Sequence, residues 1–354
     1  MFYSDYCCWA LRGARRHTSN IILGLLLLVT CAQHVLWTQK TGSWELPYVY
    51  DPPLDAILDP VWKMDSSWNR SLHSHSGSKI DPTISSARDQ LLEQLLVTLN
   101  QPTRRCRKML ELGGKMCRKL PDGSKKLCLD VDVSPGSDYC LGYSFGVGND
   151  FTFDLELKEY GCEVYAFDQD KVHSKYPRII NGVQYIKIRL GKERLIMDET
   201  QSDGSRFRYI YRPLDDIQSG LNHRNVTLDY LKMDIEGAEW EVFIESILKT
   251  DILFRTKQLA LEFHLDDLRD DTKSNIKMNE EQIEPVIKRY QSVFDELQKI
   301  GFELAWFEPN FYYPVTSTIN NRTFHIFGET LWLNPRWRRP QILPYGWKLK
   351  NGNI

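Results

Sequence analysis

From Asp81 onward the apolar positions switch between spacings of about 2 and about 3.6 residues, the periods of strands and amphipathic helices. Asp81-Pro82 joins a good N-cap to a good first helical residue. Ile84, Ala87, Leu91, Leu92, Leu95, Leu96 and Leu99 then follow at helical spacing, ahead of Pro102. Beyond that helix, short β-rich runs alternate with helical stretches. Strands are predicted at 139–147, 163–167, 183–190, 228–233, 258–264, 302–307 and 324–333. Helices are predicted at 150–160, ended by Gly161, and at 239–248. A further helix follows from the stripe Val286, Tyr290, Val293, Phe294, Leu297 and Ile300, stopped by Gly301. Such alternation implies a mainly parallel sheet covered on both faces. The last two strands have no clear helix between them and read as a terminal hairpin. The expected architecture is α/β: a doubly wound, mainly parallel seven-stranded sheet with one reversed strand.

Ahead of this pattern lies an apolar run, 21–32 (IILGLLLLVTCA), preceded by Arg12, Arg15 and Arg16. It extends to Trp37 by tolerating Gln33 and His34, whereas a bilayer span needs about 20 apolar residues. Two readings fit. One is a signal-anchor with its basic end in the cytosol and Trp37 at the interface. The other is a cleaved signal peptide, with Thr30 and Ala32 as small residues near the cut. Both send the chain into the secretory pathway, as a single-pass membrane protein facing the Golgi or ER lumen or as a secreted form. The expected organisation is a basic tail (1–20), the anchor or signal (21–37), a Pro- and Ser-rich stem (38–80), a folded domain (81–335) and a basic aromatic tail (336–354). Packing of that tail on the domain is its simplest reading.

Composition narrows the function classes. The 354 residues hold 45 Lys+Arg against 47 Asp+Glu, a net charge of −2. That balance argues against a nucleic-acid binder. A hydrophobic fraction of 42% is enough for a large core. Cys106, Cys117, Cys128, Cys140 and Cys162 follow the apolar run. In an oxidising lumen one or two disulfides are expected among them, leaving at least one cysteine free or paired with another chain. No C-x-x-C spacing or nearby histidine pair supports zinc, and no metal site is assigned. Sequons at Asn69, Asn225 and Asn321 agree with a lumenal glycoprotein.

The chemistry-bearing residues fall at predicted strand ends. Tyr143-Ser-Phe-Gly-Val-Gly-Asn-Asp150 follows a strand and opens a helix, where glycines allow close backbone approach and free N–H groups suit a carboxylate or phosphate. Asp168 ends the next strand, 20 residues after Gly148, a spacing that suits a ribose. Asp234-Ile-Glu236 and Glu262-Phe-His264 end two later strands. Ligands of doubly wound sheets bind at this edge. Each of these residues also has a structural alternative: Glu236 as a helix cap, Glu262 bridging backbone amides, His264 as a satisfied core histidine.

The segment Leu231-Lys-Met-Asp-Ile-Glu-Gly-Ala-Glu239 resembles the K-x-D-x-E-G-A-E signature of FkbM-type methyltransferases. Val164-Tyr-Ala-Phe-Asp168, Pro213-Leu-Asp-Asp216 and Leu261-Glu-Phe-His264 are similar to further elements of that family. The cysteine-rich entry and the glycine turn resemble its branch around methyltransferase-like protein 24. The resemblance covers residues 100–335. It implies a Rossmann-like class I methyltransferase fold, S-adenosylmethionine as cofactor and methylation of a hydroxyl on a glycan or small molecule. It places Ser144, Gly146, Gly148, Asp150 and Asp168 at the cofactor, and Asp234, Glu236 and His264 at the chemistry. A hydroxyl acceptor needs a base, for which these three are candidates. His264 has the intrinsic pKa nearest neutrality, and Asp234 could instead bind a metal or fix the acceptor. Ser144 stands where the family carries an acid, so Asp150 or backbone carbonyls would take the methionine ammonium. Two other readings stay open. One is a catalytically silent binding domain. The other is a Golgi-type glycosyltransferase using a D-x-D (Asp130-Val-Asp132 or Asp168-Gln-Asp170) and a divalent metal.

Overall fold

The computed structural model describes residues 87–117, 120–169, 176–200, 204–269, 280–311 and 314–338. The anchor or signal, the stem, Asn69 and the tail beyond Arg338 lie outside the described residues. Among the described residues no helix is long and apolar enough to cross a membrane.

Helix α1 (Ala87–Asn100) opens the domain. Four short strands follow: β1 (Met109–Leu112), β2 (Lys115–Cys117), β3 (Leu120–Asp122) and β4 (Lys125–Cys128). The first half of the alternating region then runs β5 (Leu141–Phe145), α2 (Thr152–Glu159), β6 (Glu163–Phe167), β7 (Ile179–Ile180) and β8 (Val183–Ile186). A three-stranded side sheet comes next, β9 (Arg189–Leu190), β10 (Leu195–Thr200) and β11 (Arg206–Arg212). The second half runs α3 (Leu214–Gly220), β12 (Leu228–Met233), α4 (Glu239–Glu245), β13 (Thr256–His264) and α5 (Ile283–Ile300). It closes with β14 (Glu303–Pro309), β15 (Thr316–Ile319), β16 (Arg322–His325) and β17 (Phe327–Leu333).

The main sheet has the order β14-β17-β13-β12-β5-β6-β8-β7. Its centre, β13-β12-β5-β6-β8, is parallel throughout. Strand β17 is the expected reversed strand, antiparallel to both β13 and β14. The seven anticipated strands are thus present. The two-residue β7 adds an eighth at the edge, too short to carry a sequence pattern. The terminal hairpin is also seen, with the small β15–β16 hairpin inserted into it.

Burial on both sides explains the composition of the strands, since β5 and β12 are buried at every position. One face carries Tyr143, Phe145, Leu231, Met233, Leu261 and Phe263, packed under α1, α3, α4 and α5. The α5 stripe is buried as read, through Val286, Tyr290, Val293, Phe294 and Leu297. Each such side chain stabilises the fold by about 1.5–3 kcal/mol. The opposite face carries Val164, Ala166, Tyr185, Tyr230, Ala260 and Leu331, and it is covered differently. Phe153 and Leu157 of α2 cover one half. The antiparallel β1–β4 ribbon covers the other with Leu112, Leu127 and Cys128. The sequence reading missed this ribbon, because strands of three or four residues show no period.

Polar groups dock the ribbon alongside these apolar side chains. Gln258 is fully buried and accepts from Cys128 N–H (2.9 Å) while donating to Cys128 O (2.7 Å) and Val133 O (3.0 Å). Tyr230 donates to Lys126 O. Cys106–Cys128 ties the incoming chain to β4, and Cys140–Cys162 ties the start of β5 to the start of β6. Four of the five domain cysteines are thereby paired. Cys117 lies in β2, and its side chain is outside the described residues. The described start of the C-terminal tail packs on the domain, with Trp337 donating to Asp132 O and lying against Lys257.

Candidate functional site

The glycine turn sits where the sequence reading placed it, between β5 and α2. Gly146 and Gly148 both have positive φ, 75° and 58°. A Cβ at Gly146 would lie 1.5 Å from the Asp234 carbonyl oxygen, so only glycine lets β5 and β12 end side by side. Around Gly148 the space is open, with nothing within 4 Å of a would-be Cβ. Asp168 spans the turn and the next strand, accepting from Gly148 N–H at 2.7 Å and from Gln169 N–H at 2.7 Å. Beside it, a cleft of about 390 Å³ is lined by Phe167, Ile186, Ile188, Arg212 and Ile217.

Two predicted cofactor residues are placed otherwise. Ser144 is fully buried on the face under α2, beside Asp154, so it does not reach the strand edge. Its register partner across β12 is Lys232. Asp150 is engaged locally: its carboxylate accepts from Thr152 N–H and pairs with Lys115. Ser144 is thus sealed off, and Asp150 is held by Thr152 and Lys115 through its Oδ1. Asp154, which the sequence reading passed over, is a fully buried carboxyl with its pKa pushed up to about 6 by burial.

The D-x-E-G-A-E segment owes its spacing to a tight turn. Asp234 ends β12. Glu236 and Gly237 both take positive φ, 57° and 92°, and the chain then enters α4. A non-glycine residue at positive φ is strained and marks a functional position more often than a random one. Glu239 folds back, fully buried, and accepts from Ile235 N–H (2.9 Å) and from His264 Nδ1 (3.1 Å). Trp240 donates to His264 O (2.6 Å). One short segment thus fixes both its own turn and the end of β13.

Period-2 alternation brings a polar row to the ribbon-covered face. Ser144 pairs in register with Lys232, and Glu262 with Glu329, which in turn pairs with Glu308. Lys125, from β4, enters this row at 2% exposure. It bonds Glu329 and lies 3.5 Å from Glu262 and 4.0 Å from Asp234. Lys232 donates to Gly146 O (2.6 Å) and Phe145 O (3.3 Å), and lies 3.4 Å from Asp234. The structure therefore brings Asp234, Glu236, Glu262 and His264 together, and adds Lys125, Glu239 and Glu329, which sequence reasoning missed. Glu239 was visible inside the signature. Lys125 and Glu329 carried no local signal.

Electrostatics divide these groups. Burial and the Glu262 charge push Asp234 up to about 7, against the pull of Lys232 and Lys125. Burial would raise Glu262 too, but Lys125 and His264 hold it well below the carboxylate range. Glu329, buried beside the Glu262 charge, is raised. Burial would lower His264, but its bond to Glu239 and the charges of Glu239, Glu262 and Asp234 raise it well above its ordinary value. The neutral-pH base that its intrinsic pKa suggested is therefore a poor assignment for His264.

The D-x-D alternatives fare differently. Asp130 accepts from Arg107 and Lys108 N–H, and Asp132 pairs with Arg104, so this pair serves the loop. Asp170 lies outside the described residues. Pro213-Leu-Asp-Asp216 opens α3, where Leu214 is buried and Asp216 pairs with Arg194.

Comparison with known proteins finds a family and relatives. A family profile described as "Methyltransferase domain" matches residues 53–319. "Probable methyltransferase-like protein 24" of Rattus norvegicus is 32% identical over 135 residues, which cover 36% of this chain and 33% of that protein. The Homo sapiens protein of the same description is 30% identical over 131 residues, with the same coverage. The alignment thus spans about a third of the length of each relative. No solved structure matches. With a mainly parallel sheet, a glycine turn at the first strand and a profile match over most of its length, the chain belongs to the methyltransferase-domain family.

Proposed function

We propose that this chain is an S-adenosylmethionine-dependent O-methyltransferase of the secretory pathway, acting on a glycan or a small hydroxyl compound. The observation that carries this reading is the meeting of the open glycine turn, Asp168 and the charged cluster at one edge of the sheet. Gly146, Gly148 and Asp168 would hold the cofactor, the carboxylate accepting from its ribose hydroxyls. The cleft lined by Phe167, Ile186 and Ile188 adjoins Asp168 and suits a flat base. When bound, the cofactor supplies an electrophilic methyl group on a sulfonium. The chain's own task is to orient an acceptor oxygen and take its proton. Glu236 is the group best placed to receive that proton: its side chain is 63% exposed, 3.9 Å from His264, and held outward by a left-handed backbone. Asp234 and His264 would fix the acceptor. With Ser144 buried, Asp150 through its Oδ2 or the backbone carbonyls of the turn would take the methionine ammonium.

Two disulfides and the sequons at Asn225 and Asn321, both exposed, support an oxidising lumenal setting. The apolar run at 21–37 would serve as anchor or as cleaved signal.

The test is calorimetric titration of the full-length chain with S-adenosylmethionine. Binding is expected, weakened at least tenfold in Asp168→Ala. Glu236→Gln should keep that binding and lose about 100-fold or more in kcat on a responsive acceptor. Absence of binding by the intact chain would sink this reading in favour of a silent relative.

A further inference from the structure

We propose that Asp234, Glu262 and His264 form a binding site for one divalent cation of the Mn²⁺ type. A carboxylate oxygen from each acid and a ring nitrogen of His264 lie within 4.8 Å of one another. Metal–ligand bonds of about 2.0–2.2 Å bring adjacent ligand atoms to about 3.0–3.5 Å, so the side chains must draw in by about 1 Å or more to complete the site.

The histidine is what separates this from a plain cluster of acids. His264 is 6% exposed, and its Nδ1 is committed to Glu239. Its Nε2 has no hydrogen bond among the described residues. The carboxylates it faces, Glu236 and Glu262, each stand 3.9 Å away, beyond hydrogen-bond reach. A buried imidazole with one nitrogen fixed by a carboxylate and the other aimed at acids is the arrangement that orients histidine toward a metal. Glu239 is itself fixed, being fully buried and bonded to Ile235 N–H.

Charge points the same way. Among the described residues, Asp234, Glu236, Glu239, Glu262 and Glu329 face Lys125, Lys232 and the His264 ring, whose proton a bound cation would replace, and Lys232 is largely spent on the Phe145 and Gly146 carbonyls. Two carboxylates and one imidazole, with no thiolate, favour a cation on the hard side of the transition series. The exposed Glu236 stands beside the ring and leaves the solvent side open for an oxygen ligand. Under the proposed function, such a cation would hold the acceptor hydroxyl and favour its ionised form next to Glu236. That role rests on the methyltransferase reading, whereas binding of the ion does not.

The experiment is Mn²⁺ titration of the full-length chain, followed by electron paramagnetic resonance. One tightly bound ion per chain is expected, with nitrogen hyperfine coupling from the imidazole. Glu262→Gln should weaken binding about tenfold or more. Lys125→Met removes an ammonium that competes for Glu262 and Asp234, and should tighten binding, a result misfolding does not produce. No bound Mn²⁺ at millimolar concentration, or bound Mn²⁺ without nitrogen coupling, overturns the proposal. Cofactor titration is read separately, so either idea can fail without the other.

Discussion

Asp154 and Ser144 show how a single departure from a family pattern is absorbed. Serine stands at the strand position where the resemblance expects an acid, and it is sealed under α2. A buried acid nonetheless sits beside it, one helix turn past the glycine turn, with Lys232 as its nearest counter-charge. The pair keeps positive and negative charge balanced beneath the turn instead of presenting the acid to a ligand. Ionising Asp154 works against burial, which fixes the sign of its pH dependence. Its folded pKa of about 6 exceeds the ordinary carboxyl value. The folded state therefore holds the proton longer, and stability falls as pH rises from about 4 to 6. Asp154→Asn should gain on the native chain across that window, by about 3 kcal/mol at most. Melting temperatures of both proteins at pH 4 and pH 7 would check this. A constant difference would refute it.

Among the elements, the β1–β4 ribbon decides most. It replaces a covering helix on one half of the sheet and delivers Lys125 to the carboxylates. It also brings Asp122 near Glu262 and Asp150, and Gly123 close above the Asp150 carboxylate. The ribbon thus lies between the glycine turn and the acidic cluster, and its docking sets the distance between the two halves of the candidate site. The disulfides act at the opposite edge. Cys106–Cys128 and Cys140–Cys162 each span 22 residues. Breaking one costs about 3 kcal/mol in the chain-entropy account. Cys106→Ser/Cys128→Ser should destabilise the fold by that amount and also release Lys125, three residues from Cys128, from its carboxylates. Cys140→Ser/Cys162→Ser should cost similar stability and leave the Lys125 contacts alone. Chemical denaturation gives the first quantity, and Mn²⁺ affinity distinguishes the two variants.

The regular elements were the readable part of this chain. Strands β5, β6, β12 and β13 and helix α5 showed in the apolar pattern because each buries a long, uniform face. Segments that broke in two did so where the chain must turn. The predicted helix at 239–248 ends at Glu245 and resumes as a short turn at Ile247–Lys249. The predicted strand at 183–190 divides between β8 and β9, which join different sheets. The β10–β11 pair escaped notice because its side chains alternate weakly and stand largely in solvent.

For the molecule as a whole, the lumenal reading makes a direct prediction. Asn225 lies in the exposed loop before β12, and Asn321 at the tip of the β15–β16 hairpin. Expressed through a secretory route, the chain should carry N-linked glycans at both, seen as a mass loss on glycosidase treatment. Replacing each asparagine by glutamine should remove one increment. An unmodified protein from that route would count against the assigned compartment. Local order was legible in advance, since the α/β alternation, the reversed last strand, the glycine turn and the D-x-E-G-A-E turn all depend on neighbours within a few residues. Periodicity, capping and positive-φ glycines are properties of short segments, and they follow from the amino acids in them. The composition of the charged edge was different. Lys125 reaches Glu262 and Glu329 from more than a hundred residues away, and the cross-strand pairing of Glu262 with Glu329 depends on register between distant strands. Such contacts exist only once the sheet has assembled, because burial and register, not sequence spacing, place these charges within reach of one another.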